Sequence, residues 1–433
     1  MTESASDGRR GEEFVLLAIP DVNGSFRGKA LRPDAFESAL EHGTVMTDLI
    51  LGLDPTDAPI TDYERFGIRT GAADLIVRPD PETLRDLRWH PGWRLCLATP
   101  SWPDGSPAYS SREVFRSALE DVASLGYDAM AAIEYEIRIW DEQGKPLSSG
   151  ISYSLNEIGR YERFLDELVP ALEGLGVELS AVHTEAGPGL LELNLAARRG
   201  LAPADDAAFV KFGVKQVAAA MGLRASFLAK TASGEEGSSG HVHLSFWDGK
   251  TNAFAADGPA AEAPAALASA VAGVLEHLPA ASLLLNPTIN SYKRLVPGWF
   301  APINATWGYE NRSCAVRVIR SERPDLWRFE CRRPGADANP YLALAAIASS
   351  AADGVRRSAT PPDPTEGDAY ALDQPELPGS LEAAIGAFHE DDVFRRAIGE
   401  DFSDYFATSR AWELKAWRET VTDWERARYD RAV

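Results

Sequence analysis

Phe14 to Ile19 is an unbroken apolar run that predicts a strand. Asp21-Val22-Asn23-Gly24 is a strong turn signal, and Phe26 to Leu31 predicts a second strand, so the chain begins with a hairpin. Arg32 to His42 reads as a short helix and Val45 to Leu53 as a strand. Asp74 to Arg78 and Trp93 to Thr99 add two more strands. The Pro- and Gly-rich stretch Pro100 to Pro107 marks a boundary. Beyond it, Ser111 to Leu125 predicts a helix with Val114, Leu119 and Val122 on one face. Asp205 to Gly222, Ala260 to His277 and Asn339 to Ala351 predict three more helices. Arg356 to Gly379 is Pro- and Asp-rich and reads as a surface excursion, and Gly379 to Val433 as charged helix. The organisation expected is a polar, flexible tail over residues 1–12, a small domain over 13–103 and a larger one over 108–433, α+β in class.

Four further strand candidates differ from ordinary core strands. In Ile133 to Ile139, alternation places Glu134, Glu136 and Arg138 on one face. Glu192 and Asn194 share a face of Leu191 to Leu195. His241, His243 and Ser245 share one in His241 to Phe246, just after the Gly/Ser-rich run Gly234 to Gly240. Glu330 and Arg332 share one in Phe329 to Arg332. A single strand of this kind is a solvated sheet face. These four polar faces lack the Lys and Thr of ordinary surfaces and carry Glu, His and Arg, which suit cations and anions.

Charge narrows the partners. The 433 residues include 43 basic and 65 acidic side chains, a net charge of −22. Such a chain repels phosphate backbones and anionic bilayers, so neither nucleic acid nor a membrane is an expected partner. No run of about 18 apolar residues and no signal peptide is read from the sequence. Three cysteines, none in a C-x-x-C pair, do not make a disulfide framework, and the cytosol is the expected compartment.

Clustered carboxylates repel one another unless cations neutralise them. A glutamate-rich set with one imidazole and no thiolate suits Mg²⁺ or Mn²⁺ better than Zn²⁺. Lys293, Arg294, Arg312, Arg317 and Arg332 form a basic constellation in this acidic chain, and Arg forks bind carboxylate and phosphate. Metals, arginines and Gly-rich turns together point to phosphoryl transfer from a nucleotide. There is neither a P-loop nor a dinucleotide-binding Gly motif.

The run Asn286 to Gly298 (NPTINSYKRLVPG) resembles the signature of the glutamine synthetase superfamily, type I-like. So do Asn311-Arg312-Ser313, Gly237 to Ser245, and Phe329 to Pro334 followed by Ala338 to Leu342. The motifs run in family order over nearly the whole chain. The resemblance implies an N-terminal β-grasp domain and a catalytic domain whose antiparallel strands form an open barrel flanked by helices. It also implies a homo-oligomer, a ringed dodecamer with active sites between neighbouring subunits. Carried over residue by residue, Glu136, Glu185 and Glu192 would hold one metal ion and Glu134, His241 and Glu330 a second. Arg294, Arg332 and the Gly237 backbone would bind L-glutamate. Arg312 and Arg317 would face the transferring phosphate of ATP, with His243 and Ser245 toward the nucleotide. The implied reaction phosphorylates the γ-carboxylate of L-glutamate with ATP and hands the γ-glutamyl group to an amine nitrogen.

The sequence departs from the ammonia-using pattern at three places. Asp48 is kept, as a candidate for binding the ammonium head or taking its proton, but Leu49-Ile50-Leu51 follows where the family has Gly-Ser-Ser. Phe300 stands at the flap position that carries Glu, and Leu190 replaces a common Gln. These changes favour an organic amine packed against Phe300, Trp299 or Leu49, ethanolamine or a simple monoamine rather than ammonia, as in the branch making γ-glutamyl amides. Glu310 is a nearby carboxylate that could compensate. An ammonia-dependent glutamine synthetase, a catalytically silent relative and a metal-dependent hydrolase remain alternatives. Tyr370 lies roughly where some relatives carry a nucleotidylated Tyr.

Overall fold

Asp21 closes the first turn by accepting hydrogen bonds from the Asn23 and Ser25 amides at 2.9 and 2.8 Å. It thereby joins strands Phe14–Pro20 and Phe26–Leu31 as the expected antiparallel hairpin, with Leu17 opposite Lys29. The computed structural model describes residues 13–433, and the predicted tail over 1–12 lies outside the described residues. Trp93–Ser101 pairs in parallel with Phe14–Pro20, and Asp74–Pro79 and Thr44–Thr47 extend the sheet beyond it. Helix Pro33–His42 buries Phe36 and Ala39. The strand predicted over Val45–Leu53 stops at Thr47. Thr47 Oγ1 accepts from the Leu49 amide and turns the chain into a short 3₁₀ segment, Asp48–Gly52.

The second sheet carries the site. Its main path runs Trp307–Tyr309, Val316–Ile319, Arg328–Cys331, Gly240–Asp248, Asp128–Trp140, Leu190–Leu195 and Leu179–Thr184. All neighbouring pairs are antiparallel except the first. The four strands singled out by their polar faces are therefore consecutive in space, which their order along the chain does not reveal.

Helices Ser111–Ser124, Ala202–Ala220, Ala265–Leu285 and Pro340–Arg356 pack together and against this sheet. Ala265–Leu285 starts after Pro264 and continues past the His277 end expected for it. Pro279 removes one helical hydrogen bond, but burial of Leu283, Leu284 and Leu285 carries the helix through it. Contrary to the sequence reading, 18 of its 21 residues form a stretch apolar enough to cross a membrane by length and composition. That stretch is 83% buried inside the fold, as in a core helix. Gly273 and Gly354 let this helix and Pro340–Arg356 touch backbone to backbone. A Cβ on Gly273 would lie 2.1 Å from Ser350 O, and one on Gly354 would lie 2.1 Å from Ser269 O.

Asn339 caps Pro340–Arg356 by accepting from the Tyr341 and Leu342 amides and donates to Asp21 O in the first hairpin. The last long helix, Glu400–Glu419, also returns to the N-terminal sheet. Tyr405 stacks on Tyr109 with ring centres 4.3 Å apart and donates to Leu51 O, while Tyr63 donates to Tyr405 O. Arg410 reaches Asn23 Oδ1. The excursion after Arg356 is pinned along its length by Trp307, Asn304 and Arg333, whose side chains donate to Pro362 O, Ala369 O and Pro378 O. The C-terminal segment is helical as predicted, with Leu381–Glu390, Asp392–Ile398, Glu400–Glu419 and Asp423–Tyr429.

Candidate active site

Cross-strand register assembles the polar faces into one wall. His241 lies opposite Glu134, His243 opposite Glu330, Glu136 opposite Glu192, and Arg317 opposite Glu330. Side chains directly opposite on a sheet stand about 5 Å apart, close enough for one ion to serve two of them. The wall borders a cavity of about 590 Å³ lined by Glu134, Glu136, Glu185, Glu192, His241 and Glu330. Gly237, Arg294, Trp299, Phe300, Arg312, Arg317 and Arg332 complete the expected residues around it.

Two compact ligand sets appear among the described residues: Glu134, His243 and Glu330, and His183, Glu185 and Glu192, each with ligand atoms within 4.8 Å of one another. They overlap the expected sets. His241 Nδ1 lies 3.3 Å from Glu330 and 3.9 Å from Glu134, so that expected group is brought together, with His243 Nε2 also 3.0 Å from Glu134. His183, absent from the sequence reading, bridges Glu185 at 3.3 Å and Glu192 at 3.0 Å. Glu136 faces Glu192 and accepts from the Ser239 amide at 2.8 Å. The signal for His183 is its i, i+2 spacing to Glu185. The irregular pairing between Leu179 and Ala181 hides the alternation around it.

The charges sort by environment. Burial, then the neighbouring Glu192 charge, push Glu136 up to about 7. Burial followed by Glu192 also raises Glu185. Burial would raise Glu134 and Glu330 too, but it is overcome. His243, Arg328 and Arg332 bring Glu134 down to about 2, and Arg332 foremost brings Glu330 there. Burial, and then Arg332, hold His241 well below its ordinary range, so its imidazole is neutral, and its Nε2 is buried without a hydrogen-bond partner. A neutral imidazole with a free nitrogen beside crowded carboxylates is the donor set of a hard divalent cation.

The arginines divide between structure and cavity. Arg294 is buried and donates to Arg332 O and Arg333 O. Arg332 pairs with Glu330 at 2.5 Å, and Arg317 bridges Glu330 and Glu310 at 3.2 and 2.8 Å. Glu310 is thus committed to Arg317. Arg312 is exposed, and its guanidinium makes no hydrogen bond or ion pair to a described residue, leaving its full donor set facing the cavity. Phe300 and Tyr153 line the same space with φ of 52° and 53°, left-handed values unusual for aromatic residues. Tyr153 stacks on His183 at 4.3 Å.

Four expected residues are not cavity-lining. His243 stands one step behind it, holding Glu134 and accepting from Arg328 Nε at 3.1 Å, and Arg328 is a further residue the sequence reading lacked. Ser245 accepts from Trp247 Nε1. Asp48 and Leu49 belong to the N-terminal sheet region and do not border the cavity of the same chain. Asp48 is 2% exposed with a buried Oδ1 that has no hydrogen-bond partner, and burial, with Asp74 adding to it, raises its carboxyl. Leu190 is buried and pairs with Arg138.

The site is thus a carboxylate-and-imidazole wall beside the exposed Arg312, on a largely antiparallel sheet backed by helices. Residues 108–429 match the family model described as glutamine synthetase, catalytic domain, and the chain belongs to the glutamine synthetase family. It is 34% identical over 428 residues to the gamma-glutamylethanolamide synthetase GlnA4 of Streptomyces coelicolor, covering 95% of this chain and 91% of that protein. It is 34% identical over 441 residues to a glutamate–isopropylamine ligase of a Pseudomonas species, covering 96% and 95%. Among solved structures, a GmaS/ADP complex superposes with a TM-score of 0.85 at 28% identity, covering 99% of each chain.

Proposed function

We propose that this chain is an ATP-dependent, ADP-forming ligase joining the γ-carboxylate of L-glutamate to a small organic amine, ethanolamine or a simple monoamine. The observation that carries the reading is the convergence, in one cavity, of two carboxylate–imidazole sets, the unpaired Arg312 and the aromatic flap residue Phe300. Relatives named for ethanolamide and isopropylamine products support an organic acceptor.

Glu136, Glu185 and Glu192, with His183 beside them, would hold one divalent cation, Mg²⁺ or Mn²⁺. Glu134, His241 and Glu330, with His243, would hold another. Cations so placed supply charge neutralisation for the phosphoryl oxygens of ATP. The chain's own groups do the rest. Arg294, Arg332 and the Gly237 backbone orient L-glutamate so that its γ-carboxylate oxygen attacks the γ-phosphorus of ATP, and ADP leaves as the bond to the β-phosphate breaks. Arg312 and Arg317 stabilise the transferring charge. Trp299 and Phe300 exclude water and pack the carbon part of the amine. Its nitrogen, deprotonated by Asp48 in this reading, then attacks the γ-carbonyl carbon, and inorganic phosphate leaves.

The N-terminal unit, 13–103, is the β-grasp domain in this reading and 108–433 the catalytic domain. A ringed homo-oligomer would bring Asp48 and Leu49 from a second copy of the chain to the amine pocket. The buried Oδ1 of Asp48, lacking a hydrogen-bond partner, favours such a role. Purified protein supplied with L-glutamate, ATP and Mg²⁺ or Mn²⁺ is to be assayed for phosphate release across a panel of amines. Ethanolamine or a monoamine as best acceptor is the expected result. Ammonia as best acceptor overturns the acceptor assignment, and ATP hydrolysis that no amine stimulates and no γ-glutamyl amide accompanies overturns the ligase.

A further inference from the structure

A second cavity, of about 790 Å³, adjoins the catalytic one and shares Phe300 and Arg312 with it. Tyr309, Glu310, Arg320 and Tyr370 also line it. Arg320 follows directly on strand Val316–Ile319 and is half-buried. Its position is fixed at both ends. Its amide donates to Glu310 Oε1 at 2.8 Å, and its guanidinium carbon lies 4.4 Å from the centre of the Tyr309 ring. Glu310 gives its other oxygen to Arg317 at 2.8 Å, so both of its oxygens are committed. Among the described residues the Arg320 guanidinium makes no hydrogen bond or ion pair, and its Nε is buried. Arg312 is in the same state. Two guanidinium groups without counter-ions therefore line one cavity, in a chain whose net charge is −22. The Tyr370 hydroxyl is also buried without a hydrogen-bond partner. Glu366 and Asp368 line the cavity too, but both are exposed, and Asp368 accepts from the Tyr370 amide at 3.0 Å. Water screens their charges. They disfavour an extended polyphosphate and leave a compact anion as the ligand that fits.

We propose that this second cavity binds a compact oxyanion, a phosphate or a carboxylate, held by Arg320 and Arg312. The planar fork of Arg matches both groups, and a buried N–H without an acceptor gains when one arrives. The site stands on the geometry alone. The two sources of its ligand, the inorganic phosphate released by the reaction and a carboxylate of L-glutamate, rest on the ligase reading above. Arg312 borders both cavities and is the step by which such an anion passes between them.

The test titrates inorganic phosphate and L-glutamate in turn, by calorimetry, into wild type and Arg320→Gln. Mg²⁺ and a non-hydrolysable ATP analogue are present throughout, so that the nucleotide's own phosphates occupy the catalytic cavity. For L-glutamate, which also enters that cavity, the readout is the second of its two sites. Arg320→Gln should weaken binding of at least one of the two anions about tenfold. Arg320→Lys, which keeps the charge and loses the fork, should retain part of it. KM for ATP should be unchanged, because Arg320 does not line the catalytic cavity. A loss confined to phosphate assigns the site to the released phosphate, a loss confined to L-glutamate assigns it to a carboxylate, and a loss of both shows that either fits. Equal affinities for both anions in wild type and variant overturn the proposal, as does a raised KM for ATP, which would place Arg320 in the catalytic cavity. Arg320→Met, which keeps the apolar stem on Tyr309, serves the same comparison if Arg320→Gln does not fold. If the wild type ligates no amine, the ligase reading fails, while the titrations need no turnover and judge the anion site on their own.

Discussion

Arg317 stands directly opposite Glu330 across strands Val316–Ile319 and Arg328–Cys331, with Nη1 3.2 Å from the carboxylate. Arg332 approaches the other oxygen at 2.5 Å, and Glu330 is 1% exposed. One buried anion therefore balances two guanidinium groups. Glu330→Gln should lower phosphate release by more than about a hundredfold and cost roughly 3–5 kcal/mol of stability by leaving buried charge uncompensated. Urea unfolding read alongside the assay checks both effects. Unchanged stability would show that the arginines find other partners.

Removing divalent cations should abolish turnover and restoring them should return it. The carboxylates Glu136 and Glu192 face each other in register, so a cation that neutralises them also relieves repulsion in the folded state. Mn²⁺ should therefore raise the melting temperature of the chelated protein, and Glu192→Gln should blunt that rise. An identical melting curve with and without Mn²⁺ would count against cation binding at this wall.

Phe300→Glu should shift acceptor preference toward ammonia. The side chain is 55% exposed at the cavity, so a carboxylate there is tolerated by the fold while apolar contact with the acceptor's carbons is lost. The expected change is a fall of about tenfold in kcat/KM for ethanolamine and a lower KM for ammonia. A uniform loss with both amines would remove Phe300 from the determinants of specificity.

Away from the cavity, His277 bridges two carboxylates, with Nδ1 2.6 Å from Asp391 and Nε2 3.0 Å from Asp353. Burial alone would lower its pKa, but the bonds to Asp391 and Asp353 raise it above the ordinary value. Folded protein then binds this proton more tightly than unfolded chain. The stabilisation is complete below about pH 6.5 and is lost as pH rises through the folded pKa. At Asp353 and Asp391, burial is outweighed by the His277 bonds, and both are lowered. Their contribution is present above about pH 4 and is lost as pH falls through their folded values. Melting temperature of wild type minus that of His277→Gln should therefore shrink between pH 6 and pH 9. A constant difference would mean that folding leaves the proton affinity of His277 unchanged.

Gly273→Ala should destabilise the protein by about 1–3 kcal/mol, because the new methyl meets backbone atoms of Ser350 and Gly354 that cannot rotate aside. Denaturant titration measures it. A stabilised variant would show that the two helices separate at little cost.

How far the chain could be read in advance depended on periodicity. Glu134 and Glu136 were legible because strict alternation places both on one face. His183 was not, since its strand is irregular and half-exposed. The helix end expected at His277 falls two residues before Pro279, and burial carries the helix past both. The hold of Arg138 on Glu235 and on the Glu236 backbone was invisible for a different reason. Arg138 lies about a hundred positions earlier in the chain, and no local pattern encodes that meeting.

The return of helix Glu400–Glu419 to Tyr63, Tyr109 and Asn23 makes the far end of the polypeptide a fastening for its beginning. Ribosomal synthesis must therefore pass this helix before the first hairpin gains these contacts. A protease cut near Gly399 would loosen the opposite terminus first.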